Sequence, residues 1–325
     1  MTGAPAVCSL GSVNVDRVHR VSGAELSALA DRYEWFPERG RTVRVDPGTT
    51  PEEFDDADEV RHGGKGANQA VAAARAGADV TMLGTVGTDH GEFGALAALQ
   101  EEGVDTSRVG VAATPTGRAD VFVDPGGDNR IVVQPGANGA LDEASLEAHT
   151  EAVRSADCLL LQNEVPAAPV VSLLAELAAA SDPPVVVLDP APPEGAERLV
   201  GAGGVDYLTP NETEYEVLRP HLDGFDGVLV RKRGGEPVAV EDGERFTVTP
   251  PAVEVVDPTG AGDVLNGFLA ARLAAGAPLR AAVETAVVAG SLSVREQGAR
   301  AGIPTLEDVR AFRAGDEPHG NGRPQ

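Results

Sequence analysis

Two glycine-rich helix starts, far apart in the chain, constrain this protein more than any other feature. The first is Gly63-Gly64-Lys65-Gly66-Ala67-Asn68-Gln69-Ala70, running into the alanine-rich stretch to Ala76. Glycines let a backbone approach a polar ligand closely and adopt positive φ without steric cost. The alanines favour a helix, so the segment reads as a tight loop leading into one. The first turn of a helix leaves N–H groups unpaired and welcomes ligand oxygens. The second is Asp257-Pro258-Thr259-Gly260-Ala261-Gly262-Asp263, followed by the apolar run Val264 to Ala275. A fold that brings both helix starts together encloses one polar-ligand site from two sides. An ordinary glycine turn capping a helix explains either segment alone. Lys65 tips the balance, because it and Lys232 are the only lysines among the 26 basic residues.

Composition narrows the partners. A formal net charge of −25, from 51 acidic residues, argues against nucleic acid and anionic membrane surfaces, which need a basic footprint. Few aromatics, many acids and almost no lysine fit adaptation to high salt, where screening removes self-repulsion. Base-composition bias would exchange lysine for arginine but would not raise the acid count. The 325 residues suffice for one large α/β domain with an appendage, or for two small domains. Cys8 and Cys158 lie in apolar runs and read as buried free thiols. No Cys or His spacing suggests a structural metal. No leader-like segment and no apolar stretch of membrane-spanning length are present, which predicts a cytoplasmic enzyme.

The order of elements predicts the fold class. Ala6 to Val15 reads as a first strand ending at Asp16. Residues 17–62 are polar, contain Trp35 and the acidic run Glu52 to Glu59, and alternate briefly at Arg41 to Val45. Arg118 to Asp124 and Arg130 to Gln134, separated by Pro125-Gly126-Gly127-Asp128-Asn129, read as a hairpin. Beyond Ala140, helices (Leu141–Ala156, Pro166–Ala180, from Asn211, Gly260–Ala275, Leu279–Val294) alternate with apolar strands (Asp157–Gln162, Pro184–Leu188, Val205–Thr209). Continuous apolar strands alternating with helices predict a sheet buried on both faces. The prediction is a doubly wound, mostly parallel α/β core over 1–16, 63–111 and 135–314. A small β lid is expected from 17–62 and 112–134, with Glu244–Pro250 as a late edge hairpin. The tail 315–325 is rich in Gly, Pro and charge and reads as disordered.

Gly260, Ala261 and Gly262 would aim successive N–H groups at one spot, an anion hole for a transferred phosphoryl group. Asp263, about one turn inside, is placed to take a proton from a hydroxyl. Phosphoryl transfer needs mainly such positioning and charge stabilisation. With the two glycine segments taken together, the chain resembles the ribokinase branch of the PfkB sugar-kinase family, from about residue 6 to about residue 312. The first signature fits Gly63 through Ala70, with Gly77 and Gly87 at matching spacing; the second fits Asp257 to Gly267.

That resemblance implies a doubly wound fold with a β lid that often makes a homodimer. It implies that Asn14, Asp16, Gly64, Lys65, Asn68 and Glu164 bind the sugar, with Asp263 as base. It implies that Asn211 and Glu214 lie near the ATP phosphates and Mg2+. It further implies a monovalent-cation site, usually for K+, at Asp257, Thr259, Ser293, Gly298 and Gly302. Three departures stand out. The segment before Gly63 is long and carries Arg39, Arg41 and Arg44, either as a salt-adapted surface or as a lid suited to a charged sugar. Arg231-Lys232-Arg233-Gly234-Gly235-Glu236-Pro237 replaces the usual phosphate-contacting turn. Lys232 and Gly234 would then serve the nucleotide, or the triplet is a solvated strand end. Phe268 stands where a small residue is expected. The sequence thus points to an ATP-dependent kinase acting on a primary hydroxyl, foremost that of D-ribose. Ribose 1-phosphate, a nucleoside or another sugar are alternatives, and a non-catalytic sugar binder is a further one.

Overall fold

A computed structural model describes residues 3–46, 48–126 and 129–315. The expected disordered tail falls outside the described residues, apart from Gly315.

The strand Ala6–Leu10 is the pivot of a ten-stranded sheet. It pairs in parallel with Cys158–Gln162 on one side and Asp79–Gly87 on the other. Beyond Cys158–Gln162 follow Val185–Asp189, Tyr207–Leu208 and Val228–Arg231, all parallel. The hairpin Val238–Asp242/Glu244–Val248 closes that edge antiparallel; the segment expected as a late hairpin, Glu244–Pro250, supplies only its second strand, because the first lies upstream of Gly243. On the far side Asp79–Gly87 carries Val104–Asp105 and then Val109–Ala112. The chain builds outward from Ala6–Leu10 in one direction first and later in the other. The carboxyl end of that strand is therefore a topological switch point, where an open α/β sheet leaves its crevice.

Both faces of this sheet are dry. Leu159, Leu161 and Leu188 point into one apolar cluster, while Cys158, Leu160 and Val187 point into the other. This two-sided burial explains the unbroken apolar runs in the sequence. Both cysteines are buried and free. Phe268 is fully buried in the same core, which accounts for the large residue in the second signature.

The helices Lys65–Arg75 and Ala261–Ala274 begin at the two glycine loops and pack against each other. Their closeness depends on Gly267. A Cβ there would lie 2.5 Å from the Ala72 methyl and 2.5 Å from the Gln69 carbonyl oxygen. The expected helix over Leu141–Ala156 is instead two short ones, Glu143–Glu147 and Thr150–Arg154, interrupted by the non-helical His149.

A second, five-stranded sheet has the order Thr42–Arg44, Asn129–Gln134, Gly117–Val123, Asn14–Arg20, Glu59–Gly63. The expected hairpin forms, although Gly127 and Asp128 of its turn lie outside the described residues. The expected first strand Ala6–Val15 is in fact divided. It leaves the main sheet after Leu10 and joins the second one at Asn14, so the boundary expected at residue 16 falls inside a strand. Alternating apolar residues run through the break, which hides it from pattern reading.

The long insertion is not purely β. It contains the helix Gly23–Arg32, closed by a Ser22/Glu25 capping box, and the short 3-10 turn Glu52–Asp55. Phe54 from the acidic run is buried with Phe36, Phe122, Leu26, Val45 and Val132, on the sheet face opposite Asn14 and Asp16. Asp55 meanwhile accepts from Arg17 and Arg118. The acidic run is thus anchored through Phe54 while Glu52, Glu53, Asp55, Asp56 and Asp58 stay exposed.

Candidate active site

The crevice at the switch point is built from strand ends and two helix starts. Gly66 passes so close to Gly11 that a Cβ would lie 2.7 Å from its backbone. Gly64 has φ 88° and presses against Ser12 and Asn14, which only glycine allows. This contact sets the Lys65–Arg75 helix directly over the end of the first strand.

Asp263 sits in the first turn of its helix, 5 % exposed. Asn68 Nδ2 donates to its Oδ2 at 3.1 Å and Gln69 Nε2 to its Oδ1 at 3.1 Å. Lys65 Nζ lies 3.9 Å away, and the Asp263 carboxylate holds the Lys65 ammonium above its ordinary range against the opposing effect of burial. Gly260 caps this helix at φ 80°, wedged against Ala299. The expected fan of three N–H groups is smaller by one, because Ala261 N–H is turned back to the Pro258 carbonyl at 3.3 Å.

Asn14 is held by Asn138, whose Nδ2 donates to Asn14 Oδ1 at 2.7 Å. This leaves the Asn14 amide nitrogen to donate. Asp16 lies against Gly63, where a Cβ would come within 2.2 Å of its carboxylate. Burial pushes the Asp16 carboxyl up to about 7, helped by Glu164 and Asp263 and opposed by Arg300 and Arg61. Glu164 accepts from the Lys65 N–H at 3.1 Å and from the Ser12 hydroxyl. The six residues expected to bind sugar therefore lie beside one another, close to Asp263.

Asn211 and Glu214 form a reciprocal capping box at the start of Glu212–Leu218. Burial raises the Glu214 carboxyl, with Asp189 adding to the effect and Lys232 opposing it. The basic triplet splits by strand alternation. Arg231 stacks 3.7 Å from the Tyr215 ring centroid and bonds Glu212, and Arg233 also reaches Glu212. Lys232 turns to the crevice instead. Its Nζ meets Asp189 Oδ1 at 3.0 Å and lies 3.5 Å from where a Cβ on Gly262 would stand. Gly234 is exposed, with open space around it.

The expected cation ligands fall into two contacting groups. Asp257 accepts from the Thr259 and Gly298 N–H groups, and Gly302 packs on the Ser293 carbonyl, 2.1 Å from where a Cβ would stand. Burial acts to raise the Asp257 carboxyl, but these donors and nearby Arg61 bring it below its ordinary value. Among the described residues no cluster of three or more His, Cys, Asp or Glu forms a metal site.

Three site residues went unassigned from sequence. Asp189 ends an apolar strand, and a carboxylate at a strand terminus was a readable signal. Gln69 was visible in the glycine segment but had no stated partner. Arg300 had no local signal: it donates to Asn68 Oδ1 at 2.8 Å and to the Gly63 carbonyl at 2.9 Å. Burial lowers it to about 10, although Asp16 supports its charge. By filling Asn68 Oδ1, Arg300 turns the Asn68 amide nitrogen toward Asp263.

Known proteins share this fold and sequence. Residues 55–306 match the model of the pfkB family carbohydrate kinases. The ribokinase of Bacillus subtilis is 39% identical over 257 residues, covering 76% of this chain and 86% of that protein. The crystal structure of a Thermotoga maritima ribokinase superposes with a TM-score of 0.76 at 30% identity, covering 96% of this chain and 99% of that one. An Arabidopsis thaliana ribokinase, solved with ribose and ATP, gives 0.74 at 27% identity, covering 96% and 99%. Two glycine-led helix starts facing one buried aspartate, on a doubly wound sheet that matches these enzymes along nearly its whole length, make this chain a member of the pfkB family of carbohydrate kinases, and hence a phosphotransferase.

Proposed function

We propose that the protein transfers the γ-phosphoryl group of ATP to the 5-hydroxyl of D-ribose. The observation that carries this reading is the buried Asp263 carboxylate, facing Lys65 and Asn68 at the start of a helix. Asn14, Asp16, Gly64, Lys65, Asn68 and Glu164 hold and orient the sugar hydroxyls. Asp263 takes the hydroxyl proton as the sugar oxygen bonds to phosphorus. The bond from phosphorus to the bridging oxygen breaks, and its electron pair leaves on ADP. Positive helix ends at Gly260–Gly262 favour the charge on the moving group. Lys232, Asn211 and Glu214 serve the nucleotide, with Gly234 in the adjoining turn.

Burial and the neighbouring Asp189 disfavour charge on Glu214, a setting that suits a hydrated Mg2+ arriving with ATP beside Glu214. When bound, that ion neutralises phosphate charge. A K+ ion fits the carbonyls and carboxylate around Asp257, Thr259, Ser293, Gly298 and Gly302. A homodimer through the second sheet belongs to this reading. The face opposite the site is covered by the chain's own aromatics, so the open edge Glu59–Gly63, with Val60 51% exposed, supports the contact. Among the described residues no helix is long and apolar enough to cross a membrane, in keeping with a cytoplasmic enzyme.

One observation favours ribose 1-phosphate as a second reading. A cavity of about 260 Å3 beside Glu164 is flanked by Arg44 of the second sheet and Arg198 of the main domain. Guanidinium forks suit a phosphate. The test is product analysis by mass spectrometry with Mg-ATP in high KCl, against ribose, ribose 1-phosphate, nucleosides and other sugars. Ribose 5-phosphate is the expected product. A bisphosphate from ribose 1-phosphate, with ribose inert, would replace the first reading by the second. No phosphorylated product from any acceptor would leave the non-catalytic binder.

A further inference from the structure

Lys232 is half of the chain's lysine content, yet it is spent on a buried ion pair inside the crevice. Its side chain is 12% exposed and that of its partner Asp189 is 1% exposed. Such pairs are poor stabilising devices, because desolvation offsets most of their attraction. Arginine fills every other basic position except Lys65. A planar guanidinium would lock onto the carboxylate as a fork, whereas an ammonium is a compact charge with three donors that two acceptors can share.

What surrounds the pair indicates the second acceptor. Lys232 Nζ stands beside Gly262, in the first turn of the helix that carries Asp263. An ammonium next to a helix start is a place for phosphate oxygens. On its other side, Asp189 Oδ2 accepts from Gln69 Nε2 at 3.0 Å, and that same nitrogen donates to Asp263 Oδ1 at 3.1 Å. Gln162 Nε2 donates to Gln69 Oε1 at 2.7 Å, which fixes the amide's orientation. One continuous path thus runs from Lys232 through Asp189 and Gln69 to Asp263.

Resting on the kinase reading above, we propose that Lys232 contacts the γ-phosphoryl group, and that Asp189 is a positioning residue which couples this contact to Asp263 through Gln69. As the phosphoryl group draws Lys232 away, Asp189 loses its counter-ion and takes a larger share of the Gln69 amide. Asp263 then receives less hydrogen bonding and is a stronger base. The base is strengthened when the donor phosphate is in place.

The test compares Lys232→Met, Asp189→Asn and the double variant with the wild type. Affinities for Mg-AMP-PNP and Mg-ADP are titrated without sugar, and melting midpoints and turnover are measured alongside. Lys232→Met is expected to weaken AMP-PNP at least about tenfold and ADP less than about threefold, and to lower kcat by about a hundredfold. Asp189→Asn is expected to keep the AMP-PNP affinity and the sugar KM while kcat falls about tenfold. The double variant has no buried unpaired charge, so it is expected to melt close to wild type while kcat stays about a hundredfold low. Wild-type turnover and AMP-PNP affinity in the double variant would overturn the proposal and leave the pair a structural one. Equal losses for AMP-PNP and ADP in Lys232→Met would overturn it as well. A wild type that phosphorylates no sugar, yet loses AMP-PNP selectively on Lys232→Met, would refute the kinase reading and leave the phosphate contact standing.

Discussion

The protonation of Asp16 gives a quantitative handle on the sugar site. Its carboxyl is pushed up to about 7 by burial, and the sugar it faces needs an ionised acceptor. At pH 6 such a group is ionised in about a tenth of molecules, and at pH 8 in about nine-tenths. With ATP saturating and KCl held constant, kcat/KM for the sugar should therefore rise about tenfold between pH 6 and pH 8, with an inflection near 7. The effect on the unliganded fold has the opposite sign. The native carboxyl holds its proton more tightly than the unfolded one, so this group's contribution to stability is present at low pH and is lost as pH rises from about 4 to about 7. Sugar binding favours the ionised form, so the rise in melting midpoint on adding ribose should grow across the same interval. Asp16→Asn removes the titration and should flatten both profiles at a low kcat/KM. A wild-type profile flat between pH 6 and pH 8, or an inflection that survives in Asp16→Asn, would refute the assignment.

Asp263→Asn should reduce kcat by about a hundred- to ten-thousandfold while calorimetry shows sugar affinity nearly unchanged; lost affinity with residual turnover intact would remove Asp263 as the base. Gly267→Ala should destabilise by about 1–3 kcal/mol, because its methyl meets Ala72 and the Gln69 carbonyl, and a chemical-denaturation curve indistinguishable from wild type would mean that the helix pair can part freely. With a net charge of −25, the melting midpoint should rise between about 0.2 M and about 2 M KCl, and a midpoint independent of salt would dismiss salt adaptation as the reason for the acidic surface.

Much of this site could be read from the chain because its parts are local. The glycine loops carry their own backbone requirement, and Gly64 and Gly260 indeed take positive φ. Apolar strand runs report two-sided burial wherever they occur. Other parts could not be read because they depend on distant partners. Arg300 matters through Asn68 and Gly63, more than two hundred residues earlier. The basic triplet looked uniform as letters, but strand alternation sends Lys232 one way and its neighbours the other. The break between Leu10 and Asn14 is invisible because Val13, within it, is as buried as Leu10 before it and Val15 after it.

The aromatic cluster beneath the inserted segment has a mechanical consequence. A lid whose far side is greasy must either stay shut or find a partner, since swinging outward would wet that surface. Here Phe36, Phe54 and Phe122 are already sealed by the insertion, whatever the sheet does over the crevice. A tilt of the sheet and its cover as one plate would turn on the short crossings at 11–13, at Gly63–Gly64, near Gly117 and at Pro135–Gly136. What such a tilt uncovers is polar: Asn14, Asp16, Lys65 and Glu164, groups that water solvates well. Admitting a sugar and releasing its phosphate can then be repeated many times without the protein becoming sticky in between.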